Sequence, residues 1–114
     1  MRDSRLYLED ILEALVRIGE YVDGLSYEAF SRDRKTVDAV VRNFEVVGEA
    51  AKRMPVGVKR RYPGVPWATM AGMRDKLMHA YLGVDLKVLW ATVREDVPPL
   101  RVSVESILRE LEDG

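Results

Sequence analysis

Apolar residues return every three or four positions along most of this chain, and glycines and prolines interrupt the pattern at a few points. Such spacing places the apolar side chains on one face of an α-helix. The first helix is predicted over about Ser4 to Val22, before Gly24, and the second over about Asp33 to Met54, before Pro55. No stretch alternates as a half-buried β-strand would. The periodicity therefore predicts an all-α fold.

The middle of the chain combines turn residues with a third helical pattern. Residues 55–66 hold three prolines and two glycines, which predicts a loop with room for one helical turn at Val58–Tyr62. Pro66 suits a helix start, because its missing amide hydrogen costs nothing there. A third helix is predicted from about Trp67 to Leu82, and Gly83 is expected to end it.

The last third of the chain predicts two further helices. Asp85 is a plausible N-cap for a helix that reaches about Val97. Pro98-Pro99 is expected to interrupt this helix before a last one begins. The expected architecture is an antiparallel bundle of four to five helices, forming a single domain over residues 1–114.

Composition removes several classes of function. The 114 residues carry 18 basic and 19 acidic side chains, and the net charge of −1 argues against a histone-like protein that coats nucleic acid. Because there is no cysteine, disulfide scaffolds, thiolate zinc sites, iron–sulfur clusters and cysteine nucleophiles are excluded. His79 is the only histidine, so a metal site would need mostly carboxylates, and any catalysis must use His79, carboxylates or both.

The sequence gives no sign of a membrane or export function. The opening residues, MRDSRLYLED, carry charges where a signal peptide needs an apolar stretch. No window approaches the roughly 18 uninterrupted apolar residues of a membrane-spanning helix. We therefore expect a protein that acts in the cytoplasm.

The segment MRDKLMHAY, residues 73–81, carries the residues best suited to chemistry. His79 has an unperturbed pKa near 6.5 and can take a proton from a ribose 2′-hydroxyl or give one to a leaving 5′-oxygen. Arg74 presents a planar donor pair that fits the oxygens of the attacked phosphate. Asp75 lies one helical turn before His79 and can orient its imidazole. This combination indicates RNA cleavage without a metal.

Arg74 and His79 do not point the same way on one helix. Their positions differ by about 140° around the axis and by about one and a half turns along it. Two copies of the helix that meet across a two-fold axis can bring two arginines and two histidines into one groove. A homodimer is therefore one arrangement in which the two groups could act on the same phosphate.

A basic stretch leads into this segment. From Ala50 to Met73 there is no acidic residue, and the local charge is +5. Backbone phosphates of RNA are the expected partner of such a stretch, and Tyr62 and Trp67 lie beside it, where they can stack on unpaired bases. The cations are Lys52, Arg53, Lys59, Arg60 and Arg61.

Each of these residues also has a purely structural interpretation. A histidine near a helix end often interacts only with the helix dipole, and a basic run is often a solvated surface. Asp75 can pair with a neighbouring base on its own helix. Trp67 and Trp90 fit packing anchors better than base-stacking residues, and Tyr81 taken alone fits a core or interface residue.

The ordered motifs of this chain resemble the HepT-like toxins of the HEPN superfamily. Their signature is Arg-x4-His-x-Tyr, here Arg74, His79 and Tyr81. The flanking sequence matches as well, and the likeness extends from the first helix to about residue 100. The matching segments are FEVVGEAAK at 44–52, VPW at 65–67, MAGMRD at 70–75, the stretch from Val84 to Trp90, and DVP at 96–98.

The resemblance implies a helical bundle of the HEPN type that dimerises and cleaves RNA without metal or cofactor. It also implies a toxin–antitoxin pair, in which a minimal nucleotidyltransferase antitoxin attaches AMP to Tyr81 and silences the toxin. A rival hypothesis is a non-catalytic helical partner of such a nucleotidyltransferase, in which Arg74 and His79 bind nucleotide or substrate without breaking a bond. A purely structural dimer module is the third possibility.

Overall fold

The computed structural model describes residues 3–79 and 86–113, with side chains for residues 3–73 and 86–112. All regular structure in these ranges is helical, which confirms the all-α prediction. The predicted end of the third helix at Leu82 and Gly83, and the predicted N-cap Asp85, lie outside the described residues. The elements are α1 (Ser4–Val22), α2 (Tyr27–Arg32), α3 (Arg34–Arg53), α4 (Val56–Arg61), α5 (Trp67–His79), α6 (Leu86–Ala91), a π-helical turn (Thr92–Asp96) and α7 (Val97–Asp113).

Short polar side chains set the starts of the early helices. The Ser26 hydroxyl accepts a hydrogen bond from the Ala29 amide at the start of α2. Asp33 accepts hydrogen bonds from the hydroxyl and the amide of Thr36 at the start of α3. These two bonds favour the charged carboxylate and lower the pKa of Asp33. Below its pKa, Asp33 therefore loses part of its capping strength.

Helix α3 lies at the centre of the bundle, where both α1 and α5 pack against it. Its apolar stripe is buried, as the three- and four-residue spacing predicts, and α7 packs against α1. No helix in the described ranges is both long and apolar enough to cross a membrane. The buried stripe of α3 consists of Val37, Val40, Val41, Phe44, Val47 and Ala51.

The directions of the helices follow from contacts between their ends. An ion pair of 3.2 Å joins Arg5 at the start of α1 to Glu112 at the end of α7. Tyr7, near the start of α1, shares a groove with Ala50 and Arg53 at the end of α3. Helix α1 is therefore antiparallel to both of these neighbours, as expected for the predicted bundle.

The predicted break at Pro98-Pro99 is wrong, because the chain stays helical from Leu86 to Asp113. A proline in an α-helix clashes with the carbonyl four residues earlier and has no amide hydrogen to donate to it. Here the π-helical turn comes first, and the Val97 amide donates to the carbonyl of Thr92, five residues earlier. The wider turn gives the two proline rings room at the start of α7.

Gly24 and Gly19 form a matched test of helix α1. Gly24 follows the helix with a φ of 76°, where a side chain is strained, whereas a Cβ on Gly19 meets nothing within 4 Å. Gly24→Ala should lower the free energy of unfolding by about 1–2 kcal/mol. Gly19→Ala should raise it by about 0.5–1 kcal/mol. Urea unfolding of both variants measures the difference, and equal effects would contradict this account of the helix end.

Candidate active site

The entry to α5 is held by a buried tryptophan. The Pro66 carbonyl accepts the first hydrogen bond of the helix, from the Met70 amide at 3.0 Å. The Trp67 side chain is only 6% exposed, and its indole nitrogen donates to the carbonyl of Tyr62 at 3.0 Å. Trp67 therefore fixes the loop to the helix as a packing anchor. This confirms the preferred interpretation of Trp67 as a packing anchor and argues against the alternative, stacking on RNA bases, because the residue is not accessible.

Tyr62 is half-buried and packs against the core. Its hydroxyl is buried and has no hydrogen-bond partner within the described residues. The Arg61 guanidinium lies 5.5 Å from the centre of the ring. The ring is thus engaged both by the core and by Arg61, and its role in stacking on a base stays a prediction.

Two buried methionines extend the contact between α5 and α3. Met70 and Met73 follow Trp67 at steps of three residues, and all three are buried. Helix α5 packs along α3 through this face. The first half of α5 is therefore held against the core up to the residue immediately before Arg74.

The motif residues lie on the second half of the same helix. Arg74 and Asp75 belong to α5, and His79 is its last residue, which confirms the predicted helix for this stretch. Helix geometry separates Arg74 and His79 by about 7.5 Å along the axis. Their side chains and that of Asp75, together with all of Tyr81, lie outside the described part of the structure. The pairing of Asp75 with His79 and the roles of all four stay predictions.

The five predicted RNA-binding cations, which we call the basic patch, all lie at helix ends. Lys52 and Arg53 are in the last turn of α3, and the other three are in the last turn of α4. Helix C-termini carry partial negative charge and attract cations. Lys59 is half-buried, and the rest are exposed. The basic patch consists of Lys52, Arg53, Lys59, Arg60 and Arg61.

Two members of the basic patch have acidic partners. Arg53 pairs with Glu49 at 3.0 Å, and Arg61 pairs with Glu110 of α7 at 3.6 Å. Exposed ion pairs contribute about 0–1 kcal/mol, so a phosphate can displace either carboxylate. Sequence reasoning missed the second pair because Glu110 is distant along the chain. Within the described residues no ion pair involves Lys52, Lys59 or Arg60.

A metal centre needs several carboxylate or imidazole groups that converge. Among the side chains described, no three such groups lie close enough together to hold a metal ion. His79 is outside that set. The expectation of a site that works without a metal therefore stays a prediction.

A helical bundle that carries both an Arg-x4-His motif and a basic patch fits the class of nucleic-acid-processing proteins that the sequence predicts. The family model described as "Ribonuclease HepT-like" matches residues 11–107 of this chain. The chain belongs to the HepT-like ribonuclease family. This membership confirms the resemblance found in the sequence and the expected enzyme class, a ribonuclease.

Named relatives agree with the family match. The chain is 49% identical to "Probable ribonuclease HepT" of Thermococcus cleftensis, over 93% of this chain and 96% of the relative. It is 40% identical to a protein of Caldanaerobacter subterraneus named as a candidate RNase, over 96% of this chain and 98% of the relative. A candidate RNase of Methanocaldococcus jannaschii is 39% identical over 97% of this chain and 92% of the relative. No solved structure matches the chain at a significant level.

Proposed function

We propose that this protein is the toxin of a toxin–antitoxin pair and acts in the cytoplasm as a homodimeric, metal-independent endoribonuclease. The observation that carries the proposal is the position of Arg74 and His79 on α5, inside the region that matches the family. Trp67, Met70 and Met73 hold the first half of this helix against the core. A rigid helix is a suitable support for groups that must be positioned accurately.

The chemistry is an attack by the ribose 2′-oxygen on the adjacent phosphorus. The bond from phosphorus to the 2′-oxygen forms, and the bond to the 5′-oxygen breaks. His79 takes the 2′-hydroxyl proton or gives a proton to the 5′-oxygen, while Arg74 binds the negative charge that accumulates on the phosphate. Asp75 orients the imidazole from one turn away. The products are a 2′,3′-cyclic phosphate and a 5′-hydroxyl, so atoms and charge balance without a further reactant.

The geometry of one helix supports the proposed dimer. Because Arg74 and His79 are about 140° apart around α5, a single helix does not direct both at one phosphorus atom. A two-fold axis that brings two α5 helices together supplies both groups twice within one cleft. The basic patch then guides the RNA backbone toward that cleft.

Control of the enzyme is proposed to come from a minimal nucleotidyltransferase antitoxin that transfers AMP to Tyr81. Tyr81 is two residues beyond His79 in the sequence. An attached AMP brings a negative phosphate and a bulky nucleoside to the place where RNA phosphate must bind. Electrostatic repulsion and steric exclusion then act together against the substrate.

RNA cleavage in excess EDTA tests the proposal directly. His79→Ala should reduce the rate by about 10²–10⁴-fold, because it removes the proton-transfer group. Arg74→Ala should also reduce it strongly, whereas Arg17→Ala should not, since Arg17 pairs with Glu13 on α1. Cyclic phosphate ends, measured by mass spectrometry, are the expected product. Equal rates for wild type and His79→Ala would overturn the proposal.

Growth assays distinguish the proposed ribonuclease toxin from the two alternative hypotheses. Expression of wild type alone should arrest growth, and Arg74→Ala should relieve the arrest. A non-catalytic partner of a nucleotidyltransferase predicts harmless expression together with tight nucleotide binding by the complex. A structural module predicts that neither substitution changes any phenotype.

The salt dependence of RNA binding tests the basic patch. For single strands, the slope of log K against log salt falls by about 0.7 for each phosphate contact that is lost. Arg60→Gln and Lys59→Gln should each lower the slope by about this amount, measured with inactive His79→Ala protein. Arg53→Gln should have a smaller effect, because Arg53 already pairs with Glu49. An unchanged slope in all three variants would exclude the basic patch from RNA binding.

Modification by the antitoxin predicts a defined mass change. Protein co-expressed with the nucleotidyltransferase should carry one added AMP on the peptide that contains Tyr81. Tyr81→Phe should remove this addition, and Tyr62→Phe should leave it in place. An AMP found on another residue would contradict the assignment of Tyr81.

A further inference from the structure

A small pocket lies between the start of α5 and the start of α7. Its volume is about 240 Å³. Thr69 and Met73 line it from α5, and Met73 directly precedes Arg74 in the sequence. Asp96 lines it from the end of the π-helical turn. We call this cavity the α5–α7 pocket, and its other lining residues include Pro66, Pro99 and Ser103.

The walls of the α5–α7 pocket are mostly apolar. Met73 is buried, and Pro66, which directly precedes α5, and Pro99, in α7, contribute rigid apolar rings to the lining. An apolar cavity with a few polar groups is the usual form of a small-ligand site. The usual range for drug-sized ligands begins near 300 Å³, so a pocket of about 240 Å³ is suited to a smaller group, of the size of a single base.

Asp96 supplies the one charged group of this lining. It is half-buried, and within the described residues its carboxylate has no hydrogen-bond or ion-pair partner. An ionised carboxylate offers two acceptor oxygens side by side and no donor. A ligand with two adjacent N–H donors satisfies both oxygens at once. The hydroxyls of Thr69 and Ser103 add groups that can donate to an acceptor on the same ligand.

Among the RNA bases, only guanine carries two adjacent donors on its Watson–Crick edge, N1–H and the N2 amino group. Adenine and cytosine place an acceptor next to their amino group, which the carboxylate repels, and uracil has a single donor. Resting on the proposed ribonuclease activity, we propose that the α5–α7 pocket binds a guanine base of the RNA. Asp96 accepts from N1 and N2 of that base, so cleavage favours a phosphodiester near a guanosine.

The location agrees with this role. Proteins that recognise RNA sequence usually form hydrogen bonds with the Watson–Crick edges of unstacked bases. Consecutive Cα atoms are about 3.8 Å apart, so a base beside Met73 lies close to the helix position that carries Arg74. In this arrangement the pocket residues determine which base binds, while the Arg-x4-His motif on α5 acts on the phosphodiester backbone of the RNA.

The test compares RNA substrates that are identical except for one guanosine replaced by inosine, which lacks the N2 amino group. In wild type the replacement should lower cleavage at that site by roughly tenfold, the effect of one charged hydrogen bond. Asp96→Asn should cut the guanosine substrate more slowly and distinguish poorly between guanosine and inosine. Glu95→Gln is the matched control, since Glu95 is the exposed neighbour and does not line the pocket. It should behave as wild type.

A binding measurement separates this proposal from the proposed ribonuclease activity. GMP added to the full-length protein should shift the NMR signal of the Met73 methyl group, assigned with Met73→Leu, whereas AMP and CMP should not. A shift specific for GMP in a protein that cleaves no RNA would support the pocket and overturn the activity. Efficient cleavage with no preference for guanosine, and no shift with GMP, would overturn the pocket and leave the activity standing.

Discussion

Burial of the apolar stripe of α3 is the interaction on which the rest of the structure depends. Helices α1 and α5 both pack against this stripe, and α7 reaches the core through α1. Each fully buried aliphatic or aromatic side chain contributes about 1.5–3 kcal/mol relative to exposure. The position of α5, and with it the Arg-x4-His motif, is thus set by hydrophobic contacts on its first half. The motif lies on the second half of α5, next to the half that packs against the core.

The helices of this fold were predictable because their information is local. Three- and four-residue spacing located α1 and α3 within a residue or two, and Asp33 marks the start of α3 by accepting a hydrogen bond from the nearby Thr36 amide. The wrong prediction of a helix break at Pro98-Pro99 also has a local cause. A single π-helical turn changes the partner of each carbonyl by one residue, and no apolar spacing signals such a change.

The sequence was enough to predict which residues belong to the candidate site, but not which residues pack around them. The motif and the cations could be identified from the sequence, because charge and residue type are visible there. The burial of Trp67 and the pairing of Arg61 with Glu110 depend on how distant segments meet. The α5–α7 pocket shows the same limit, since Met73 and Asp96 approach one another only after α5 and α7 have packed.

The carboxylates beside the basic patch have a consequence for ligand choice. Glu49 and Glu110 already pair with two of its five cations, so an anion that binds at Arg53 or Arg61 must displace a carboxylate of the protein. A single free nucleotide that displaces one of these carboxylates loses its own translational and rotational freedom, which opposes its binding. When a strand is already bound at one cation, its next phosphate has a high effective concentration at the neighbouring cation and displaces the carboxylate there more easily. If the basic patch binds RNA as proposed, these two ion pairs therefore favour a long strand over a mononucleotide at Arg53 and Arg61.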